Sequence, residues 1–192
     1  MPALKPKPTR TASLFLASSQ QRLAKENLPR IVECLQQLSE DEIWWRPNWA
    51  SNSAGNLVLH LCGNVRQWII AGLGEAEDRR ERDREFAECG PIPRRELVTQ
   101  LRRTIRDACR VVARLSDESL ARKYEIQGYR VTGLDAALHV VEHFSYHTGQ
   151  IIYITKLKRS RDLRLTKLPK VNPVQKTQRP TGNVGVAPAR NT

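Results

Sequence analysis

The sequence predicts an all-α fold: a four-helix bundle with a small β-hairpin before the last helix and disordered basic ends. Three observations lead there. Four segments of roughly twenty residues carry leucine, isoleucine and valine at helical spacing. The connections between them hold the prolines, glycines and polar clusters that stop helices. Four such helices, long enough to cover one another's apolar faces, make a bundle.

The first helix spans about 13–38, with Leu14, Leu16, Leu23, Leu28, Ile31, Leu35 and Leu38 on its apolar side. Pro29 falls inside it, and a kink or a restart is expected there because proline lacks the backbone N–H. SEDEIWWRPNWASNS then reads as a loop, whose Trp44, Trp45, Trp49 and Arg46 are expected to cap the end of the core. Ser51, Asn52 and Ser53 all suit the N-cap of a second helix, about 54–73. Residues 75–90, EAEDRRERDREFAECG, form a charged connection that is helical in part at most. Pro93 opens a third helix, about 93–115. The alternation in 123–131 around Gln127-Gly128 predicts a hairpin. Thr132, with Asp135 three residues on, forms a capping box for a fourth helix reaching Lys158.

The domain is therefore expected at 12–158, with disordered basic segments at 1–11 and 159–192. The tail is rich in Pro, Gly, Thr and Asn without apolar periodicity, and cannot offset its chain entropy by burial. The net charge of +12 sits toward the two ends of the chain. Residues 1–30 carry six Lys/Arg against Glu26, and residues 156–192 carry ten against Asp162. The stretch 31–155 has 16 basic and 18 acidic residues and is close to neutral. Basic tails attract polyanions without reading sequence, so nucleic acid enters only as a weak, non-specific partner of the tails. No apolar run approaches the length of a membrane span, and no secretory signal is recognisable at the start, so a cytoplasmic protein is expected. Cys34, Cys62, Cys89 and Cys109 have no metal-binding or redox spacing and are expected as buried free thiols.

The chemistry concentrates in the histidines. There are four: His60 in the second helix, and His139, His143 and His147 in the fourth. Residues four apart stand one above the other on a helix, so two of these imidazoles can reach one divalent ion. The row of three drifts by about 40° over eight residues, which favours two of them sharing an ion over all three. His60 is the natural third ligand, projecting from a facing helix as bundle metal sites require. A single inward histidine is commonly a hydrogen-bonded core residue, and on spacing alone a metal site and packed imidazoles both stand. Glu142 projects about 100° from His143 and is not expected as a ligand. Asn56 and Asn64 bracket His60 at four-residue spacing, and Gln150 can orient His147 or bind a substrate. Cys62 lies about 200° around the helix from His60 and is expected in the core.

Two stretches, WWRPNWASNSAGNLVLHLCGNVRQWI and HVVEHFSYHTGQIIYITKL, resemble the DinB-like (YfiT-like) superfamily of bacterial four-helix-bundle proteins over about residues 13–158. The resemblance implies a three-histidine site for a divalent metal, zinc or nickel, with His60, His143 and His147 as ligands. His139 precedes the matched pair. Together with Asn56, Asn64 and Gln150, it is a candidate for the layer behind the ligands or for a substrate pocket. The resemblance further implies a metal-dependent thiol S-transferase, or a hydrolase, acting on a small electrophilic molecule with a low-molecular-weight thiol as co-substrate. Three imidazoles leave positions open on a metal, as catalytic sites do, which suits that chemistry. No single catalytic residue stands out. The alternative is a non-catalytic metal-binding bundle. A homodimer is expected, since bundles often pair through an exposed apolar face.

Overall fold

The computed structural model describes residues 8–165. Its first helical column is built of α1 (Arg10–Gln20), a wider π-type segment Gln21–Asn27, and α2 (Leu28–Gln37), which run on without a break. The expected interruption at Pro29 takes the form of this register change. Pro29 cannot donate to the turn before it, and the wider π segment that runs into α2 accommodates the lost bond. The loop expected at 39–53 contains a short helix, α3 (Glu40–Trp44), opened by a Ser39–Glu42 capping box.

The second column is α4 (Ala54–Val65) continued by a π segment, Arg66–Leu73. Ser53 caps it, with Asn56 answering from the third position. A short helix, α5 (Arg82–Ala87), follows in the charged connection. The third column is α6 (Arg94–Val112), directly preceded by Pro93. A further short helix, α7 (Asp117–Ala121), leads to strands β1 (Lys123–Ile126) and β2 (Tyr129–Thr132), paired antiparallel. Gln127 and Gly128 both have positive φ, 55° and 80°, as the expected tight hairpin turn requires. The last column, α8 (Gly133–Arg159), starts at the Thr132–Asp135 capping box and ends at Ser160 in left-handed conformation.

The columns meet around a core that includes Leu23, Ile31, Leu35, Leu61, Leu97, Leu101, Ile105, Phe144 and Ile151, all fully buried. Each such side chain contributes about 1.5–3 kcal/mol of burial. The expected end cap is only partly present. Trp44 packs over Gly55 and Gly90, and Trp45 is covered by the Lys158 ammonium, but Trp49 is 93% exposed. Trp49 stands in a polar turn held by Asn48 and Ser51, which carries it away from the core. The cysteines also divide. Cys34 and Cys62 are buried, whereas Cys89 is exposed in the charged connection and Cys109 is half-buried on α6.

The basic ends expected at 1–11 and 159–192 fall largely outside the described residues, and the nucleic-acid expectation falls with them. Arg10 and Thr11 already belong to α1, and Leu163 folds back onto the core. No helix among the described residues is long and apolar enough to cross a membrane.

Candidate metal centre

Helices α4 and α8 run antiparallel, and the histidines occupy their seam. Ascending α4, His60 meets His143 and His147, while Asn64 and Trp68 meet His139, further back along α8. His60 Nε2 lies 2.9 Å from His143 Nε2. The His143 and His147 rings are 4.4 Å apart, nearly edge to face, and His60 stands 5.0 Å from His147. One nitrogen from each of His60, His143 and His147 falls within 4.8 Å of the others. Ligands at zinc–nitrogen distance in a tetrahedron stand roughly 3.3 Å apart, so the three ring nitrogens are spaced on the scale of a single ion.

Hydrogen bonds decide which nitrogens face inward. His60 Nδ1 is 3.0 Å from Glu85 Oε2 and 3.1 Å from Arg80 Nη2; with the carboxylate, which can only accept, as its partner, the proton sits on Nδ1 and the Nε2 lone pair faces the other rings. His147 Nδ1 donates likewise to Gln150 Oε1 at 2.6 Å. His143 has no such outer partner among the described residues and donates from Nε2 to His60. Burial and the neighbouring imidazoles push the His143 pKa down to about 3. Burial lowers that of His147 as well, against the raising effect of Gln150. Both rings are therefore neutral at pH 7, the form that binds metal.

Glu85 is itself fixed. Arg80 grips it with two hydrogen bonds of 2.8 Å, and the two side chains are 4% and 10% exposed. Burial alone would raise the Glu85 carboxyl, but the bonds from Arg80 and His60 and the Arg80 charge hold it below the ordinary carboxylate range. Arg80 also reaches Gln67 on the second column, and Gln67 in turn donates to Asp78. Gly63, one turn after His60, makes the approach possible: a Cβ there would overlap the Glu85 carboxylate and lie 2.9 Å from Arg80 Nε. Phe86 then lies over the His60 ring, with centroids 4.6 Å apart.

The expected neighbours of the site separate into distinct roles. Gln150 orients His147. His139 stacks between Trp68 and His143, with Asn64 at 3.3 Å, and burial lowers its pKa. Asn56 turns its amide to the carbonyls of Glu85 and Glu88, where Arg46 also donates to Phe86 and Glu88. Asn56 and Arg46 thus hold the end of α5 in place and do not touch the histidines themselves. Glu142 is exposed, as expected. Cys62 is in the core beside Thr104; burial lifts its thiol to about 12 and that of Cys34 to about 11, so neither supplies a thiolate. Arg80, Glu85 and Gly63 were not anticipated from sequence. The traces they leave there are slight: a glycine inside an apolar helix and one phenylalanine in a charged run.

No curated protein matches this sequence. Three solved structures with related folds are a DinB-like protein from Bacillus cereus, one from Bacillus subtilis and a conserved protein from Enterococcus faecalis. The first has a TM-score of 0.56 at 13% identity, covering 76% of this chain and 91% of its own. The second has 0.56 at 18%, covering 80% and 95%, and the third 0.60 at 17%, covering 81% and 99%. The fold is thus DinB-like, as the sequence resemblance implied. Residues 10–172 match the profile of a family described as protein of unknown function, DUF1572, and the chain belongs to that family.

Proposed function

We propose that the chain holds one divalent metal ion, zinc or nickel, on His60, His143 and His147, and uses it to transfer a low-molecular-weight thiol, or water, to a small electrophilic molecule. The observation that carries this reading is the convergence of three ring nitrogens within 4.8 Å, two of them with their tautomers already set by Glu85 and Gln150. The donor set fits: three neutral nitrogens, with the Glu85 carboxylate one bond behind His60 and the Gln150 amide one bond behind His147, as ligating histidines characteristically have. A metal bound by three imidazoles keeps coordination positions open and, as a Lewis acid, makes a thiol or water nucleophilic near neutral pH.

The chain's own groups then have limited tasks. Glu85 keeps the His60 proton on Nδ1, and Gln150 keeps the His147 proton on Nδ1. His143 would hold an ion through Nε2 only with its proton moved from Nε2 to Nδ1, in place of its hydrogen bond to His60. Phe86 shields the His60 face from water. Glu85, the carboxylate in contact with His60, is engaged by Arg80 and is not free to take a proton.

Elemental analysis of natively purified protein, beside His60→Ala, His143→Ala and His147→Ala, tests the reading. About one equivalent of metal per chain is expected, lost in each variant while the helical signal persists. Wild-type protein that carries no metal and takes up neither zinc nor nickel would overturn it. Thiol and electrophile pairs are then screened on the loaded protein.

A further inference from the structure

The seam between α4 and α8 continues beyond the histidines. One turn nearer the start of α4, Leu57 shares a cavity of about 660 Å³ with Ile154, and the loop 47–52 lines its other side. Two residues belong both to this cavity and to the histidine centre. Gln150 lines it and accepts the hydrogen bond from His147 Nδ1, and Tyr146 lines it with its ring 4.9 Å from that of His147. No Lys, Arg, Asp, Glu or His is in the lining, although charged residues make up 27% of the chain. Tyr146 and Tyr153, each 64% exposed, and Leu157 leave apolar surface uncovered at its mouth. A concave, apolar site with a few hydrogen-bonding groups beside a reactive centre is the usual form of a small-molecule site.

We propose that this cavity binds the body of an uncharged aromatic or alicyclic molecule, the electrophilic partner, whose reacting end passes Gln150 to the histidine centre. This deepens the reading given under Proposed function and rests on it for the reaction, though not for the cavity. Tyr146 and Tyr153 offer ring surface to stack on, and Ser51, Asn52 and Gln150 offer hydrogen bonds. An anionic thiol such as glutathione finds no counter-charge here, so the cavity takes the electrophile and the thiol must approach from another side. The apolar mouth would also suit a second copy of the chain, but the cavity's concavity and the two residues it shares with His147 favour a small ligand.

The full-length protein is titrated with the neutral fluorophore N-phenyl-1-naphthylamine and with its anionic relative 8-anilinonaphthalene-1-sulfonate. Saturable binding of the neutral probe is expected, with the anion about tenfold weaker. Gly149 is an exposed lining residue where a Cβ meets nothing within 4 Å, and leucine is the better helix former. Gly149→Leu should therefore fold, keep its metal content and weaken the neutral probe by about tenfold or more. With cobalt(II) in place of the native ion, the proton resonances of the bound probe should broaden. Equal affinities of the two probes, unchanged binding by Gly149→Leu, or release of the probe as the protein dimerises in sedimentation would each overturn the proposal. A chain that binds no metal but loses the probe in Gly149→Leu retires the metal reading and leaves the cavity assigned. A metal-loaded chain that ignores the probe does the reverse.

Discussion

The two outer imidazoles of the centre are held by opposite means. His60 leans on a carboxylate that is itself locked by an arginine, all three nearly out of water, with the carboxylate and the arginine supplied by a segment further along the chain that docks on the helix carrying the ring. His147 leans on a neutral amide three residues away on its own helix, at the edge of an open cavity. A buried ion pair that is broken leaves a charge stranded, whereas a lost amide bond at an edge is replaced by water. The His60 wall is therefore the rigid one. The His147 wall can yield, and a ligand would approach from that side.

The largest effect should come from breaking the rigid wall. Glu85→Ala strands Arg80 and is expected to cost about 3–5 kcal/mol in chemical unfolding, with metal affinity falling by about 10–100-fold. Glu85→Gln keeps an acceptor for His60 and should lose less of both; equal losses in the two variants would mean that the His60 contact matters little. Gly63→Ala attacks the same wall from the helix side. It improves helix propensity by about 1 kcal/mol, so any net destabilisation measures the displacement of Glu85. A stabilised Gly63→Ala with unchanged metal affinity would show that Glu85 is not needed where it lies. Gln150→Leu on the softer wall should weaken metal by about tenfold and leave the melting temperature nearly unchanged. If Gln150→Leu costs as much stability as Glu85→Ala, the contrast between the walls fails.

The gentlest probe is pH. His143 and His147 titrate lower folded than unfolded, so the unfolded chain binds more protons as pH falls below about 6.5. Stability of the metal-free protein is expected to hold above that pH. It should then decline on acidification toward about 3, the folded value of His143. Glu85 contributes in the same direction at the acid end, because its folded pKa is depressed too. In His143→Ala the decline should be shallower, which urea unfolding at pH 7 and pH 5 can measure.

The difference between the walls also marks what the sequence reveals. The α8 side is legible because its residues are spaced by the helix itself: His143, His147 and Gln150 are local neighbours, and their common face follows from 3.6 residues per turn. The bundle is legible for the same reason, through leucine periodicity, and the hairpin and last helix through Gln127-Gly128 and Thr132–Asp135. The His60 wall is not. Within EAEDRRERDREF nothing separates Arg80 from Arg79, or Glu85 from Glu81; only docking against Gly63 selects them. Asn56 shows a converse error, since its four-residue spacing from His60 suggested a shared cavity, while its place at the third position of α4 commits it to capping and to α5. Trp49 and Cys89 were misplaced because hydrophobicity predicts burial only when the backbone leads inward.

The connection that supplies Arg80 and Glu85 has one more consequence. None of residues 74–91 is fully buried, and α5 contributes no side chain to the apolar core. Polar bonds through Glu85, Asn56 and Arg46 fasten most of this stretch, with Phe86 against His60 and Trp44 over Gly90 as its main packing contacts. It is a separate cooperative unit, able to detach while the four helices stay folded, because few apolar contacts oppose its opening. Amide hydrogens in 80–88 should then exchange long before those of α4 and α8. How often this stretch opens is then set by the buried Arg80–Glu85–His60 contacts, which are the main hold on it.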